Sequence, residues 1–338
     1  MNSPDNAAKD RRFVQYCAYA GGGLFFALNL ITGGAVPSGL IGGLIGGGIG
    51  AGVGMLVVKL RKPSHQTSAI ESEQESPARE EIKSNASAQS VPGEAVRSLG
   101  LSQWQRLACT FTAPSKTFED IKRGNRSWWL PLMVMALAGY ILFGAVVQKI
   151  GIRQTVENQI RMDPKAQERM AQATPQQREQ GYKISDGITE AVFVAGPLMG
   201  MLGALVFAAV LLGTINFGFG GRAKFGDVFA VVYYAWLPQL VKVLLGTAVI
   251  CAGMAPESFN IKNFAPTNLG AFLDPMDTNK ALYALATAFD VTTIWVVVLM
   301  SIGVATVAGV KRSAGYIVVF GWWLVIVFFS VAAAAVMG

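Results

Sequence analysis

Residues 225–250 read FGDVFAVVYYAWLPQLVKVLLGTAVI, and this stretch decides the fold. Apart from Asp227 near its start and Lys242 within it, every side chain is uncharged. The run exceeds the roughly 20 mainly apolar residues that a helix needs to cross a hydrocarbon core. Comparable blocks lie at 129–147, 191–218, 283–310 and 315–337, with this one extending over 225–252, and two more at 13–32 and 38–58. The expectation is an all-α, polytopic membrane helix bundle of about seven transmembrane helices. Composition points the same way: 14% of the 338 residues are charged and 52% hydrophobic. A soluble domain carries roughly 25% charged residues, so an ordinary water-soluble fold is excluded.

The chain divides into three expected regions. Residues 1–58 form a glycine-rich transmembrane hairpin turned by Gly33, Gly34 and Pro37. Its first block is too long for the apolar part of a cleaved leader and is followed at once by another span, so it reads as a membrane helix. Gly42, Gly46, Gly50 and Gly54 recur every fourth residue, spacing that lets helix backbones approach closely. They suit packing against the first span or self-association. Residues 59–101 are rich in Ser, Glu and Ala and almost free of aromatics, which predicts a disordered cytoplasmic linker. Residues 102–338 form a five-span membrane domain carrying a polar insertion at 148–190.

Between linker and first downstream span, Trp104, Phe111 and Phe118 are roughly helically spaced among basic residues, ahead of Trp128 and Trp129. Such an amphipathic segment suits a helix lying on the membrane surface, or one packed across the span ends. Within the insertion, Asp163-Pro164 and Thr174-Pro175 each place a capping oxygen before a proline, and Gln177 completes a capping box. A small helical lid outside the bilayer is expected there. Pro256, Pro266 and Pro275 argue against regular structure in the loop at 253–282.

Basic residues set the orientation. With the N-terminus cytoplasmic, 18 of the 28 Lys and Arg face inward, and the outer loops hold nine, seven of them in 148–190 beside six acids. The expected location is the cell (inner) membrane, multi-pass, with the C-terminus outside. The net charge of +7 sits at span ends, where anionic lipid headgroups satisfy it, so the lipid bilayer is the expected partner and nucleic acid is not.

Little in the sequence carries catalysis. His65 is the single histidine and lies in the linker, and Cys17, Cys109 and Cys251 form no metal-binding spacing. Asp274 and Asp277 stand three apart in a Pro-rich loop without further ligands, and the spans offer Ser301 and Ser330 without a base. No metal, no cofactor and no enzymatic activity are expected. Lys242 stands out, because an ionisable side chain inside hydrocarbon costs about 3 kcal/mol. Pro238 frees the Tyr234 carbonyl one turn back, and Asp290 is the comparably placed acid, separated in depth by about 8 Å. Three readings stay open: a structural Lys242–Asp290 contact, an unpaired Lys242 reaching for the headgroups, or a transport or proton-relay role.

One resemblance rests on quoted motifs. Phe111, Pro114, Phe118 and Ile121, then Trp128-Trp129-Leu130-Pro131-Leu132, then FGDVFAVVYYAWLP at 225–238, then Asp290 to Trp295 with Gly303, occur in an order that resembles the Yip family (Ypt/Rab-interacting proteins and their bacterial relatives). It covers residues 101–338 and implies five spans. Eukaryotic members are associated with Rab binding, vesicle traffic and membrane curvature. The polar insertion looks bacterial, and bacterial relatives have no Rab protein to bind. The resemblance therefore implies only an integral membrane scaffold. The leading expectation is a scaffold or adaptor that organises membrane proteins or bilayer shape, with a membrane-protein partner or as a homo-oligomer. The alternative is a transporter or channel component with a broken helix around Pro238–Lys242.

Overall fold

The structure, a computed structural model, describes residues 100–337. The expected hairpin with Gly42, Gly46, Gly50 and Gly54, and all but the end of the linker, lie outside the described residues. Five helical segments among the described residues are long and apolar enough to cross a membrane: Trp129–Ile150, Pro175–Phe219, Phe225–Cys251, Val291–Ala308 and Arg312–Val336.

The described chain opens on a helical hairpin. Helix α1 (Gln103–Thr112) starts from a Ser102/Gln105 capping box, and α2 (Pro114–Lys122) starts at a proline after the non-helical Ala113. The first span is α3 (Trp129–Ala145), which continues through one π-helical turn, Val146–Ile150, and stops at Gly151 with φ 88°. Only a residue without a β-carbon enters that region freely. The polar helices α4 (Ile152–Arg161) and α5 (Pro164–Gln172) follow, the latter capped by Asp163.

Helix α6 (Pro175–Phe219) runs 45 residues without interruption from the Thr174 capping box. The second helix of the expected lid is therefore not separate from the span that follows it. Gly181, Gly187 and Pro197 weaken the helix locally but do not stop it, and about 67 Å of rod results.

The next two spans are each divided. One is α7 (Phe225–Ala235) and α8 (Gln239–Cys251), broken at Trp236–Pro238. The other is α9 (Lys280–Ala288) and α10 (Val291–Ala308), broken at Phe289–Asp290. The continuous helix expected over 283–310 is interrupted because the Asp290 side chain accepts hydrogen bonds from the Thr292 and Thr293 backbone amides and so caps α10. Between α8 and α9 the loop holds three short 3₁₀ turns. The last helix, α11 (Arg312–Met337), begins three residues before the apolar block itself.

The core gathers around α7, whose residues from Asp227 to Ala235 are all buried, and around α10. Helix α10 packs against α11, α2 and α7. Phe118 on α2 is fully buried and sits beside Gly303, where a side chain would strike both Val231 and the Phe118 ring. The hairpin α1–α2 is thus anchored into the bundle by its apolar face.

Candidate functional site

The breaks at Trp236–Pro238 and Phe289–Asp290 come together, and polar side chains fill the gap. Helix α8 begins at Gln239, so its first turns present Gln239 and Lys242 toward the start of α10. Lys242 Nζ donates to Asp290 Oδ2 at 2.8 Å, and Thr267 Oγ1 donates to the same oxygen at 2.6 Å. Asp290 Oδ1 accepts from the Thr292 hydroxyl at 2.6 Å and from the Thr292 and Thr293 amides at 2.9 and 3.1 Å. The carboxylate is 2% exposed, and five donors saturate it. Burying such a charge is tolerated only when it is paired and hydrogen-bonded.

The loop supports this arrangement from one side. Asn268 forms an isolated antiparallel bridge with Asp290, and the Val291 amide donates to the Thr267 carbonyl at 3.0 Å. Asn263 and Asn268 hydrogen-bond each other, and Asn263 also donates to the Tyr283 hydroxyl at 3.2 Å. Gln239 joins α8 to α10, donating to the Thr293 hydroxyl at 3.3 Å, with its Oε1 3.3 Å from the Thr292 hydroxyl whose proton goes to Asp290. Lys242 also lies 5.8 Å from the centre of the Phe264 ring. Beside this cluster is a cavity of about 430 Å³, reached by Gln239, Lys242, Lys262, Asn263 and Thr293.

A second buried ion pair holds the hairpin. Arg106 Nε lies 3.3 Å from Asp120 Oδ2, close in charge but not directed as a hydrogen bond. Arg106 Nη1 donates to the Asn125 carbonyl at 2.7 Å, and its guanidinium lies 5.6 Å from the Tyr234 ring centre. Arg126 pairs with Asp227 at the start of α7. Outside the spans, Arg153 reaches Asp186 at 2.9 Å and Glu179 at 3.3 Å, tying α4 to α6. Those hydrogen bonds, Glu179 first and then Asp186, raise the Arg153 pKa above its ordinary value.

The aromatic residues of the amphipathic segment separate into two environments. Trp104 and Trp129 are exposed, whereas Phe118 is in the core. Phe111 meets Trp295 edge-on at 5.6 Å, and Trp128 stacks on Tyr233 at 5.5 Å. The hairpin packs along the bundle, and only its outer face is free to meet headgroups. Thr267, Arg106 and Asp120 were not singled out from sequence. A basic residue on the apolar face of α1, with an acid on the matching face of α2, was the available signal.

Among the described residues no three metal-capable side chains gather, and Cys109 and Cys251 are free thiols. The Asp274 carboxylate accepts from the Met276 amide within its own turn, at 2.7 Å.

Comparison with known proteins gives two matches. The family model of the Yip1 domain matches residues 108–334. The chain is also similar to the membrane protein YknW of Bacillus subtilis (strain 168), 25% identical over 224 residues that cover 65% of this chain and 87% of that protein. No solved structure matches.

Proposed function

The chain belongs to the Yip1 domain family, and from that premise we propose that it is a non-enzymatic membrane scaffold or adaptor. One observation carries the reading. Arg106, Asp120, Asp227 and Asp290, the charged residues buried among the described residues, each have an ion-pair partner: Arg106 and Asp120 pair with each other, Asp290 pairs with Lys242, and Asp227 pairs with the exposed Arg126. Groups committed in this way hold helices in register and leave no buried charge spare for a reaction. The outer face of α1–α2, with Trp104, Lys116, Glu119, Lys122 and Arg123 exposed, is the contact surface for a membrane-protein partner or second copy. The distribution of basic residues supports a cytoplasmic position for this face.

The test is cross-linking of tagged full-length protein in its native membrane, followed by identification of near-stoichiometric partners. The comparison is a variant carrying Trp104→Ala, Lys116→Glu and Lys122→Glu, which leaves Phe118 and the Arg106–Asp120 pair in place. Loss of the partner from that variant supports the reading, and unchanged recovery overturns this surface as the contact.

A second reading is favoured by the cavity beside the paired helix breaks, an arrangement that transporters use for substrate. Ion flux in liposomes that disappears in Lys242→Met would establish it in place of the scaffold.

A further inference from the structure

We propose that the 430 Å³ cavity between α8, α9, α10, α11 and the loop that follows α8 is a binding site for one anionic phospholipid. Its walls are sorted by depth. Counting helix rise from the ends nearest the α6–α7 turn, Lys242 and Ser330 lie about 26 and 27 Å along their spans. A hydrocarbon core is about 30 Å thick, so both stand near the opposite interface. Lys262, Asn263 and Asn268 of the loop line this same end. The other wall is apolar and deeper, formed by Val296, Met300, Val319, Trp323 and Ile326. Met300 and Val319 lie only about 12 and 10 Å from the near ends of their helices. A cavity with polar groups at headgroup level and an apolar arm running toward the bilayer centre has the shape of a lipid with its chain inserted.

Charge selects the head. Asp290 does not line the cavity, because its oxygens are turned toward Thr267, Thr292 and the α10 amides. Lys242 lines it, with one proton committed to Asp290 and its side chain 18% exposed. Lys262 is exposed and has no carboxylate partner among the described residues. The cavity therefore presents one ammonium without a carboxylate partner, Lys262, beside Lys242, whose charge is paired with Asp290 but which keeps further protons to donate, and no acid lines it. Such a surplus of positive charge is what holds lipid phosphates in basic pockets between membrane helices. The volume falls in the range of small-ligand sites, enough for a phosphate head and a length of one acyl chain, with the remaining chain lying outside against α11.

Native mass spectrometry of the full-length protein in mild detergent, with equimolar phosphatidylglycerol and phosphatidylcholine, tests this assignment. Wild type retains phosphatidylglycerol preferentially, and Lys262→Glu lowers that preference about fivefold or more, as expected for an interfacial lysine. Val327→Trp, which fills the mouth of the apolar arm, reduces retention of both lipids. Lys183→Glu, an exposed charge away from the cavity, leaves the preference unchanged. All three variants keep the wild-type unfolding temperature. Equal retention of the two lipids by wild type overturns the site, as does an effect of Lys183→Glu equal to that of Lys262→Glu. In a parallel arm, retention of oleate without phosphatidylglycerol would assign the cavity to a free fatty acid and overturn the phospholipid.

Discussion

Gly315 and Ser301 meet backbone to backbone: a β-carbon at position 315 would collide with the Ser301 carbonyl oxygen and lie 2.8 Å from the Ala305 β-carbon. This crossing sets the separation of α10 and α11, because lipid supplies no hydrophobic drive for helix association and close approach must come from small residues.

Gly315→Ala is expected to destabilise the bundle by about 1–3 kcal/mol, the usual cost of overpacking. Gly321→Ala is the control. Nothing lies within 4 Å of its added carbon, and alanine is the better helix former by about 0.5–1 kcal/mol. Thermal unfolding in detergent should therefore move in opposite directions for the two variants.

Lys242→Met leaves the Asp290 carboxylate buried without its cation, a loss of about 3 kcal/mol or more. Adding Asp290→Asn removes the stranded charge while keeping an acceptor for the α10 amides. The double variant is expected to be at least as stable as Lys242→Met alone. A double-mutant cycle that closes with no coupling would show that the ion pair contributes nothing.

Arg106→Gln should release the hairpin without disturbing the spans. It strands Asp120, which is 5% exposed, and removes the bond to the Asn125 carbonyl. Faster trypsin cleavage at Arg123 and Arg126 in the variant is the expected readout. An unchanged cleavage pattern would mean that apolar contacts such as Phe118 hold the hairpin alone.

Trp322 is 1% exposed, and its indole nitrogen donates to the Thr214 hydroxyl at 3.1 Å across α11 and α6. Thr214→Val keeps the shape and leaves that donor unpaired, which should cost about 1–2 kcal/mol. Thr214→Ser should restore most of the loss in the same unfolding measurement.

Much of the architecture was legible because membrane spans announce themselves by length and composition. The five blocks within residues 102–338 correspond to the five apolar helical segments. What escaped was where helices stop. The apolar run around Asp290 continues on both sides, so the residue reads as an intruder in a span, whereas its short carboxylate serves better as a cap than inside a helix. The continuity of α6 escaped for the opposite reason. Its first 16 residues are polar and read as a separate element, although no strong breaker lies between them and the apolar part. Lys242 and Asp290 could be picked out because ionisable residues in apolar runs are costly. Thr267 could not, because a loop hydroxyl reaching a residue 23 positions away is a tertiary fact. Arg106 read as one more surface base, and only the fold reveals that Asp120 neutralises it.

The seat of Phe118 beside Gly303 also fixes a schedule. Its receiving surface is synthesised about 185 residues after the phenylalanine, and at about 5–20 residues per second the ribosome needs roughly 10–40 s to deliver it. Throughout that interval the hairpin is complete but can meet only the α7 side of its seat, around Tyr234. Seating of the hairpin is consequently a late event that waits for α10. Premature stop codons upstream of α10 would leave behind a sticky amphipathic segment, a ready degradation signal for membrane quality control.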